Sequence, residues 1–132
     1  MGEIQRRDLV IVIALLLAST MATSSGLQTA RAMATIYIRT DGTIYPVTAP
    51  IQRNGNVYTF TGNINSDADG IIIERNNTIL DGAGHSLQGI GAPSSNGIYL
   101  FGYFNVTIKN IDIKGFESGI LLDAYSTYDS II

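Results

Sequence analysis

Short runs of alternating apolar and polar residues, separated by Gly, Asn and Asp, fill the chain after residue 34. Apolar side chains at every second position are typical of β-strands with one buried face. No window in this region has the spacing of three and four that an amphipathic helix needs. The pattern therefore predicts an all-β fold with these short strands: Thr35–Arg39, Val57–Thr61, Gly70–Glu74, Thr78–Asp81, Gly97–Leu100, Val106–Asn110, Ile111–Lys114 and Gly119–Asp123.

Two sequence markers recur in step along these strands. A Gly-Ile pair follows a polar residue at Gly70, Gly97 and Gly119, with spacings of 27 and 22 residues. A second marker ends in the isoleucines Ile79, Ile108 and Ile131, with spacings of 29 and 23 residues. Because two independent markers share one period, we expect a repeat architecture.

A repeat of this length without a helix restricts the fold. The Leu and Asn pattern of leucine-rich repeats is absent, and propeller blades need about twice the length. The prediction is an all-β, right-handed parallel β-helix with three-stranded coils of about 22–29 residues. A lone coil cannot bury enough apolar surface to offset its ordering, so the coils must stack.

Strand alternation assigns the side chains of each coil to two faces. One inward ladder is predicted to contain Ile71, Ile73, Ile98, Leu100, Ile120 and Leu122. A second inward ladder is predicted from Ile79, Ile108 and Ile131, and part of a third from Leu87 and Ile113. The outward column is predicted to contain Ile72, Tyr99 and Leu121.

The first residues have the pattern of an export signal. Arg6-Arg7 precedes the apolar run LVIVIALLLA, and small polar residues follow. The run is shorter than the roughly 20 apolar residues of a membrane span, so residues 1–34 are predicted to form a secretory signal helix. Cleavage is expected after Ser24 or after Ala34. An uncleaved segment would be a membrane anchor, and Arg6-Arg7 also fits a twin-arginine signal.

The remaining chain is divided into two parts. Residues 35–65 fit the repeat poorly and are predicted to form an N-terminal cap with the first strands, whereas residues 66–132 are predicted to form the coils. Since the chain stops inside a strand at Ile131-Ile132, we expect either a longer parent chain or pairing with another subunit.

Charge and cysteine content narrow the range of partners. Without residues 1–34 the chain has five basic and nine acidic side chains, a net charge of −4. This balance argues against a nucleic-acid partner. Cysteine is absent, so an exported chain must be held together without disulfides. Membrane contact is expected only through an uncleaved signal.

Four segments resemble the opening of exported archaeal and bacterial proteins with NosD-like right-handed β-helix repeats: Thr35–Gly42, Ala49–Arg53, Ile79–Gly84 and Asn105–Asn110. The resemblance covers essentially everything after the signal. It implies the fold more specifically than the activity, because this fold carries lyases, hydrolases, adhesins and maturation factors. Well-known NosD members are periplasmic and serve copper-site maturation of nitrous oxide reductase. Copper prefers Cys, Met or clustered His, whereas this chain has no Cys, one His, and Met only within residues 1–34.

One polar segment has calcium-ligand spacing. Asn65, Asp67 and Asp69 alternate oxygen side chains and are followed by Gly70, as in the first half of a calcium loop. The position of the final glutamate ligand holds Asn76 instead. Calcium bound by Asn65, Asp67 and Asp69 is therefore the one cofactor hypothesis, and a polar turn closed by side-chain hydrogen bonds is the alternative.

Two further features bear on binding. Asn76 and Asn105 begin N-glycosylation sequons, predicted at the same place in consecutive repeats, where stacked turn hydrogen bonds are the alternative role. Tyr99, Tyr103 and Phe104 supply aromatic surface suited to stacking on sugar rings, with packing along the coil axis as the alternative.

The sequence favours a non-catalytic exported module that binds carbohydrate or a cell-surface partner, located outside the cell, in the periplasm or at the cell surface. The alternatives are the N-terminal part of a polysaccharide lyase or hydrolase, and a NosD-like maturation protein. No catalytic residue is predicted, because His85 stands alone in a glycine-rich turn. The candidate partner aspartates lie far apart in the sequence: Asp81, Asp112 and Asp123.

Overall fold

A computed structural model describes residues 33–132, so most of the predicted signal helix lies outside the described residues. The described residues contain thirteen short strands and no helix: β1 (Ile36–Ile38), β2 (Ile44–Tyr45), β3 (Ile51–Asn54), β4 (Val57–Phe60), β5 (Ile64–Ser66), β6 (Ile71–Ile73), β7 (Thr78–Asp81), β8 (Ser86–Gly89), β9 (Asn96–Phe101), β10 (Val106–Lys109), β11 (Asp112–Lys114), β12 (Ser118–Asp123) and β13 (Ser130–Ile131). Nothing in residues 33–132 is a helix long and apolar enough to cross a membrane.

The strands form a parallel β-solenoid of about three turns. The first turn contributes β1, β4 and β5, the second β6, β7 and β8, and the third β9, β10 and β11. Equivalent strands of successive turns pair in parallel, and β12 and β13 continue the first two sheets. Antiparallel β2 and β3 lie at the outer edges of these two sheets, beside β1 and β4. The predicted all-β stack of parallel strands is confirmed.

The first inward ladder follows the predicted register. Ile71 pairs with Ile98, Ile98 pairs with Ile120, and the ladder begins one turn earlier at Ile36. Ile36, Ile71 and Ile98 are fully buried, whereas Leu122 in β12 is 42% exposed. A second column of the same sheet contains Ile38, Ile73, Leu100 and Leu122.

The third sheet also has the predicted pairing. Leu87 of β8 pairs with Ile113 of β11, and on its other side with Ile64 of β5. Ile64 and Leu87 are buried in the same apolar core as the first ladder. One continuous core therefore fills the space between the three sheets.

The prediction for the second ladder is wrong by one residue. Ile79 pairs with Thr107, and it is Leu80 that pairs with Ile108. Leu80 is fully buried, whereas Ile79 lies half-buried on the outer face. Ile131 does pair with Ile108, as predicted. Aligning the Thr-Ile pairs of β7 and β10 in the sequence gives a wrong register, because the alternation of inward and outward side chains sets the pairing of the strands.

The recurring glycines lie where successive turns approach most closely. A Cβ added to Gly70 would collide with the carbonyl oxygen of Gly97, and one added to Gly97 would collide with the carbonyl oxygen of Gly119 and the side chain of Ile113. Backbone atoms of neighbouring turns therefore occupy the space that a side chain would need. Close stacking explains the Gly-Ile marker.

Leu80→Ala and Ile79→Ala test the corrected register. We expect Leu80→Ala to lower the free energy of unfolding by about 2–5 kcal/mol because it opens a cavity in the core. Ile79→Ala should cost about 1 kcal/mol, since Ile79 keeps access to solvent. Urea unfolding of the full chain, followed by circular dichroism, measures both. A larger loss for Ile79→Ala would contradict the register.

Gly97→Ala tests the close approach of the turns. The added methyl group must displace backbone of the next turn, so we expect a loss of about 1–3 kcal/mol in the free energy of unfolding. Gly62→Ala is the matched control, because its Cβ would meet only the Cβ of Pro50, at 3.8 Å. Equal effects of the two substitutions in thermal unfolding would show that stacking does not constrain Gly97.

Candidate functional site

The outer face of the first sheet carries a column of large side chains. Because Ile36 and Ile38 point inward, Tyr37 between them points outward. In register with Tyr37 lie Tyr45 of β2 on one side, and Ile72, Tyr99 and Leu121 on the other. The predicted outward column of Ile72, Tyr99 and Leu121 is confirmed by this pairing.

A groove of about 310 Å³ opens on this face of the sheet. Its lining combines aromatic and aliphatic side chains with one carboxylate: Tyr37, Ile72, Ile73, Glu74, Tyr99, Phe101 and Tyr103. Tyr37 and Tyr99 are two strands apart, which corresponds to about 9.6 Å along the sheet. The groove therefore presents two tyrosine rings, separated along the solenoid axis, to an extended ligand.

The end of β9 positions the other two aromatic groups of the groove. Phe101 is the last residue of β9 and is 55% exposed. Gly102 follows with φ of 72°, a left-handed conformation that turns the chain so that Tyr103 also lines the groove. A strand end and a tight turn thus place two aromatic side chains beside Tyr99.

An arginine lies next to the aromatic column. The guanidinium of Arg39 is 5.7 Å from the ring centre of Tyr37 and 5.1 Å from that of Tyr45. Both distances are within the range of cation–π attraction. Arg39 is therefore held at the side of the groove formed by Tyr37.

The structure brings together two of the three aromatic residues predicted to contact sugar. Tyr99 and Tyr103 line the groove, whereas Phe104 does not. The amide nitrogen of Phe104 donates to Asn76 Oδ1 at 3.0 Å, and Phe104 bridges to Thr127 in the next turn. Sequence reasoning missed Tyr37, although Ile36-Tyr37-Ile38 repeats the outward aromatic position of Ile98-Tyr99-Leu100.

The three predicted calcium ligands lie in and after β5. Asn65 pairs with Gln88, and Asp67 is exposed. Asp69 Oδ1 accepts hydrogen bonds from the backbone nitrogen and the Nδ2 of Asn96, at 2.7 and 3.2 Å. The Ser66 hydroxyl closes the turn by donating to the carbonyl of Asp69 at 2.7 Å. Asp69 thus links two turns of the solenoid, and calcium binding stays a prediction.

The two sequon asparagines occupy adjacent rather than equivalent positions. Asn105 is equivalent to Asn77, to whose Oδ1 its Nδ2 donates at 2.7 Å. Both have the left-handed backbone conformation that asparagine tolerates, with φ of 56° and 53°. Asn76 lies one residue earlier and accepts the amide hydrogen bond from Phe104. Glycosylation at Asn76 and Asn105 stays a prediction.

The metal-ligating side chains of residues 33–132 are dispersed over the structure. No group of three His, Cys, Asp or Glu side chains in this range is arranged to hold a metal ion. The chain has no cysteine, and Met33 packs against the apolar core. The donor groups that copper prefers are therefore not gathered in this part of the protein.

The candidate aspartates are placed on different sheets. Asp81 ends β7 in the second sheet, Asp112 begins β11 in the third, and Asp123 ends β12 in the first. Asp112 and His85 are joined through their backbones, because the amide nitrogen of Asp112 donates to the carbonyl of His85 at 3.3 Å. Stacking therefore does not assemble these aspartates into one carboxylate cluster.

Asp81 organises a turn. Its Oδ1 accepts from the amide of Ala83 at 2.9 Å and from Asn110 Nδ2 at 3.1 Å, and its Oδ2 lies 3.2 Å from Lys109 Nζ. These interactions lower the pKa of Asp81 below its ordinary value of 3.8, and the hydrogen bond from the Ala83 amide has the largest effect. The ionised carboxylate stabilises the corner between β7 and β8.

Comparisons with known proteins gave no match to this chain among family models, curated proteins or solved structures. The class of the protein is defined by its own structure, which is a parallel β-solenoid with an aromatic groove on the outer face of its first sheet.

Asp81→Asn tests the role of the ionised carboxylate. Because folding lowers the pKa of Asp81, its carboxylate stabilises the folded state at pH values above the unfolded-state pKa. This contribution is lost as the pH falls through the folded-state pKa, which lies below 3.8. At neutral pH we expect Asp81→Asn to cost about 1 kcal/mol. The difference from the unchanged protein should shrink as the pH falls below 3.8.

Thermal unfolding across pH measures this difference. Asp112→Asn is the control, because the carboxylate of Asp112 is 63% exposed and its pair with Lys114 should contribute little. A difference for Asp81→Asn that does not change with pH would contradict the assigned role.

Proposed function

We propose that this chain is an exported, right-handed parallel β-helix module, similar to NosD-like repeat proteins, that binds polysaccharide along its aromatic groove. The observation that carries the proposal is the position of Tyr37, Tyr99 and Tyr103 around one groove on the outer face of the first sheet. Aromatic side chains on this outer face can contact a ligand, because they do not pack into the core.

The chemistry of the groove suits sugar rings. The aliphatic C–H face of a sugar packs well on a flat aromatic ring, while the tyrosine hydroxyls can donate to and accept from sugar hydroxyls. Glu74 adds a carboxylate that accepts hydrogen bonds. A mostly apolar surface with a few polar groups is typical of specific ligand sites.

The direction of the groove favours a polymer. Tyr37 lies on β1 and Tyr99 on β9, on either side of β6 in the first sheet, so the two rings are separated along the solenoid axis. A ligand that contacts both must extend across the intervening strand β6. A linear polysaccharide has this extended shape.

Handedness and export belong to the same proposal. A crossover connection between parallel strands of one sheet is right-handed in about 98% of cases, which supports the right-handed coil. For signal cleavage, we favour the position after Ser24. The amide of Met33 donates to the carbonyl of Asn65 at 2.7 Å and Met33 bridges to Ser66, so cleavage after Ala34 would remove contacts of the fold.

Tyr99→Ala tests the groove. We expect it to weaken binding of the full chain to its best polysaccharide by about tenfold or more, because a central stacking ring is lost. Tyr99→Phe should retain most of the affinity. The measurement is affinity electrophoresis against a panel of soluble neutral and acidic polysaccharides.

Phe104→Ala is the matched control, since Phe104 is an exposed aromatic residue outside the groove. It should leave the affinity unchanged. Absence of binding throughout the panel, or an equal loss for Phe104→Ala and Tyr99→Ala, would contradict the proposed function.

A further inference from the structure

Three arginines lie around the turn that follows the groove strand β1, although the chain after residue 34 carries a net charge of −4. The amide of Gly42 donates to the carbonyl of Arg39 at 2.8 Å, which closes a tight turn. The guanidinium groups of Arg53 and Arg75 both lie against the α-carbon of Gly42, because a Cβ added there would collide with each of them. We call Arg39, Arg53 and Arg75 the arginine cluster.

Neutral groups hold two members of the arginine cluster in place. Arg75 Nη1 donates to the Tyr58 hydroxyl at 3.0 Å, and its Nη2 donates to Asn56 Oδ1 at 2.7 Å. The Tyr58 hydroxyl in turn donates to the carbonyl of Gly42 at 2.9 Å. Arg53 Nε donates to the carbonyl of Gly55 at 2.9 Å. The side-chain hydrogen bonds of Arg53 and Arg75 therefore go to neutral partners rather than to a carboxylate.

Among residues 33–132, the salt bridges of the structure involve lysines and not the arginine cluster. Asp41 lies in the same turn, and its Oδ1 accepts from the amide and the hydroxyl of Thr43 at 2.8 and 2.7 Å. These hydrogen bonds, and to a lesser degree the positive charges of Arg39 and Arg53, lower the pKa of Asp41, so Asp41 is a partial counter-charge to the cluster. Glu74 directly follows β6 and lies beside the end of β1, since its amide donates to the carbonyl of Ile38 at 2.8 Å. Three arginines against Asp41 and Glu74 still leave an excess positive charge.

The arginine cluster is continuous with the groove. Arg39 stacks on Tyr37, which lines the groove, and Arg75 directly follows the groove residue Glu74. A polymer lying across Tyr37 and Tyr99 would therefore reach Arg39 at that end. Guanidinium groups bind carboxylates in a bidentate manner, which adds both affinity and orientation.

We infer that the ligand of the groove is an acidic polysaccharide, with a uronate carboxylate bound by Arg39 and Arg53 while neighbouring sugar rings stack on Tyr37 and Tyr99. This inference rests on the proposed function and specifies its substrate class. Arg75 positions the Tyr58 hydroxyl and the Gly42 turn and is a supporting residue.

The test compares polygalacturonate with its methyl-esterified form, which keeps the sugar backbone and removes the charge. We expect the full chain to bind polygalacturonate about tenfold more tightly than the ester, the effect of one charge-assisted hydrogen bond. Added salt should reduce this preference because the arginines are near the surface. A sulfated galactan serves as a third polymer to distinguish sulfate from carboxylate as the bound anion.

Arg39→Gln and Arg53→Gln should each remove most of the preference for polygalacturonate over the ester. Arg39→Lys should restore part of it, since the charge returns without the guanidinium fork. Lys114→Gln is the matched control, because it removes one positive charge from an exposed pair in the third sheet. It should keep the full preference.

The outcomes separate the inference from the proposed function. Equal binding of polygalacturonate and its ester, still weakened by Tyr99→Ala, would overturn the acidic ligand and leave carbohydrate binding standing. An equal effect of Lys114→Gln and Arg39→Gln would also overturn the inference. Tighter binding of the sulfated galactan than of polygalacturonate would replace the uronate by a sulfate ester. No binding of any polysaccharide would overturn the proposed function itself.

Discussion

The backbone hydrogen bonds between equivalent strands of successive turns hold this protein at a fixed axial spacing of about 4.8 Å. Every residue that recurs at the same place in the repeat is thereby placed directly over its counterpart. Inward isoleucines and leucines become continuous apolar ladders, and outward residues become columns on the surface. The core and the groove are thus two results of one repeat.

The sequence predicts the fold well where the markers are tied to the backbone. Gly97 has no space for a side chain, so its glycine marks one structural position and the register of the first sheet follows from it. The Thr-Ile letters around Ile79 mark no such constraint. A threonine occupies the inward position of β7 at Thr78 and the outward position of β10 at Thr107, which is why the aligned letters gave a wrong ladder.

The candidate site could be predicted only in part, because half of it comes from the irregular first turn. Ile36 and Ile71 are equivalent but 35 residues apart, since the segment with β2 and β3 interrupts that turn. The longer interval hides Tyr37 from a search at the period of the later turns. The arginine cluster is hidden further, because Arg53 and Arg75 come together at Gly42 only when the inserted strand β3 folds back along β4.

Strands β2 and β3 also make one end of the solenoid different from the other. They run antiparallel along β1 and β4, so at that end two of the three sheets finish in strands that break the parallel pattern. A further turn stacked on β12 and β13 would pair with them without moving the opposite end. The corner that carries Arg39 and Tyr37 therefore does not depend on how many turns follow it.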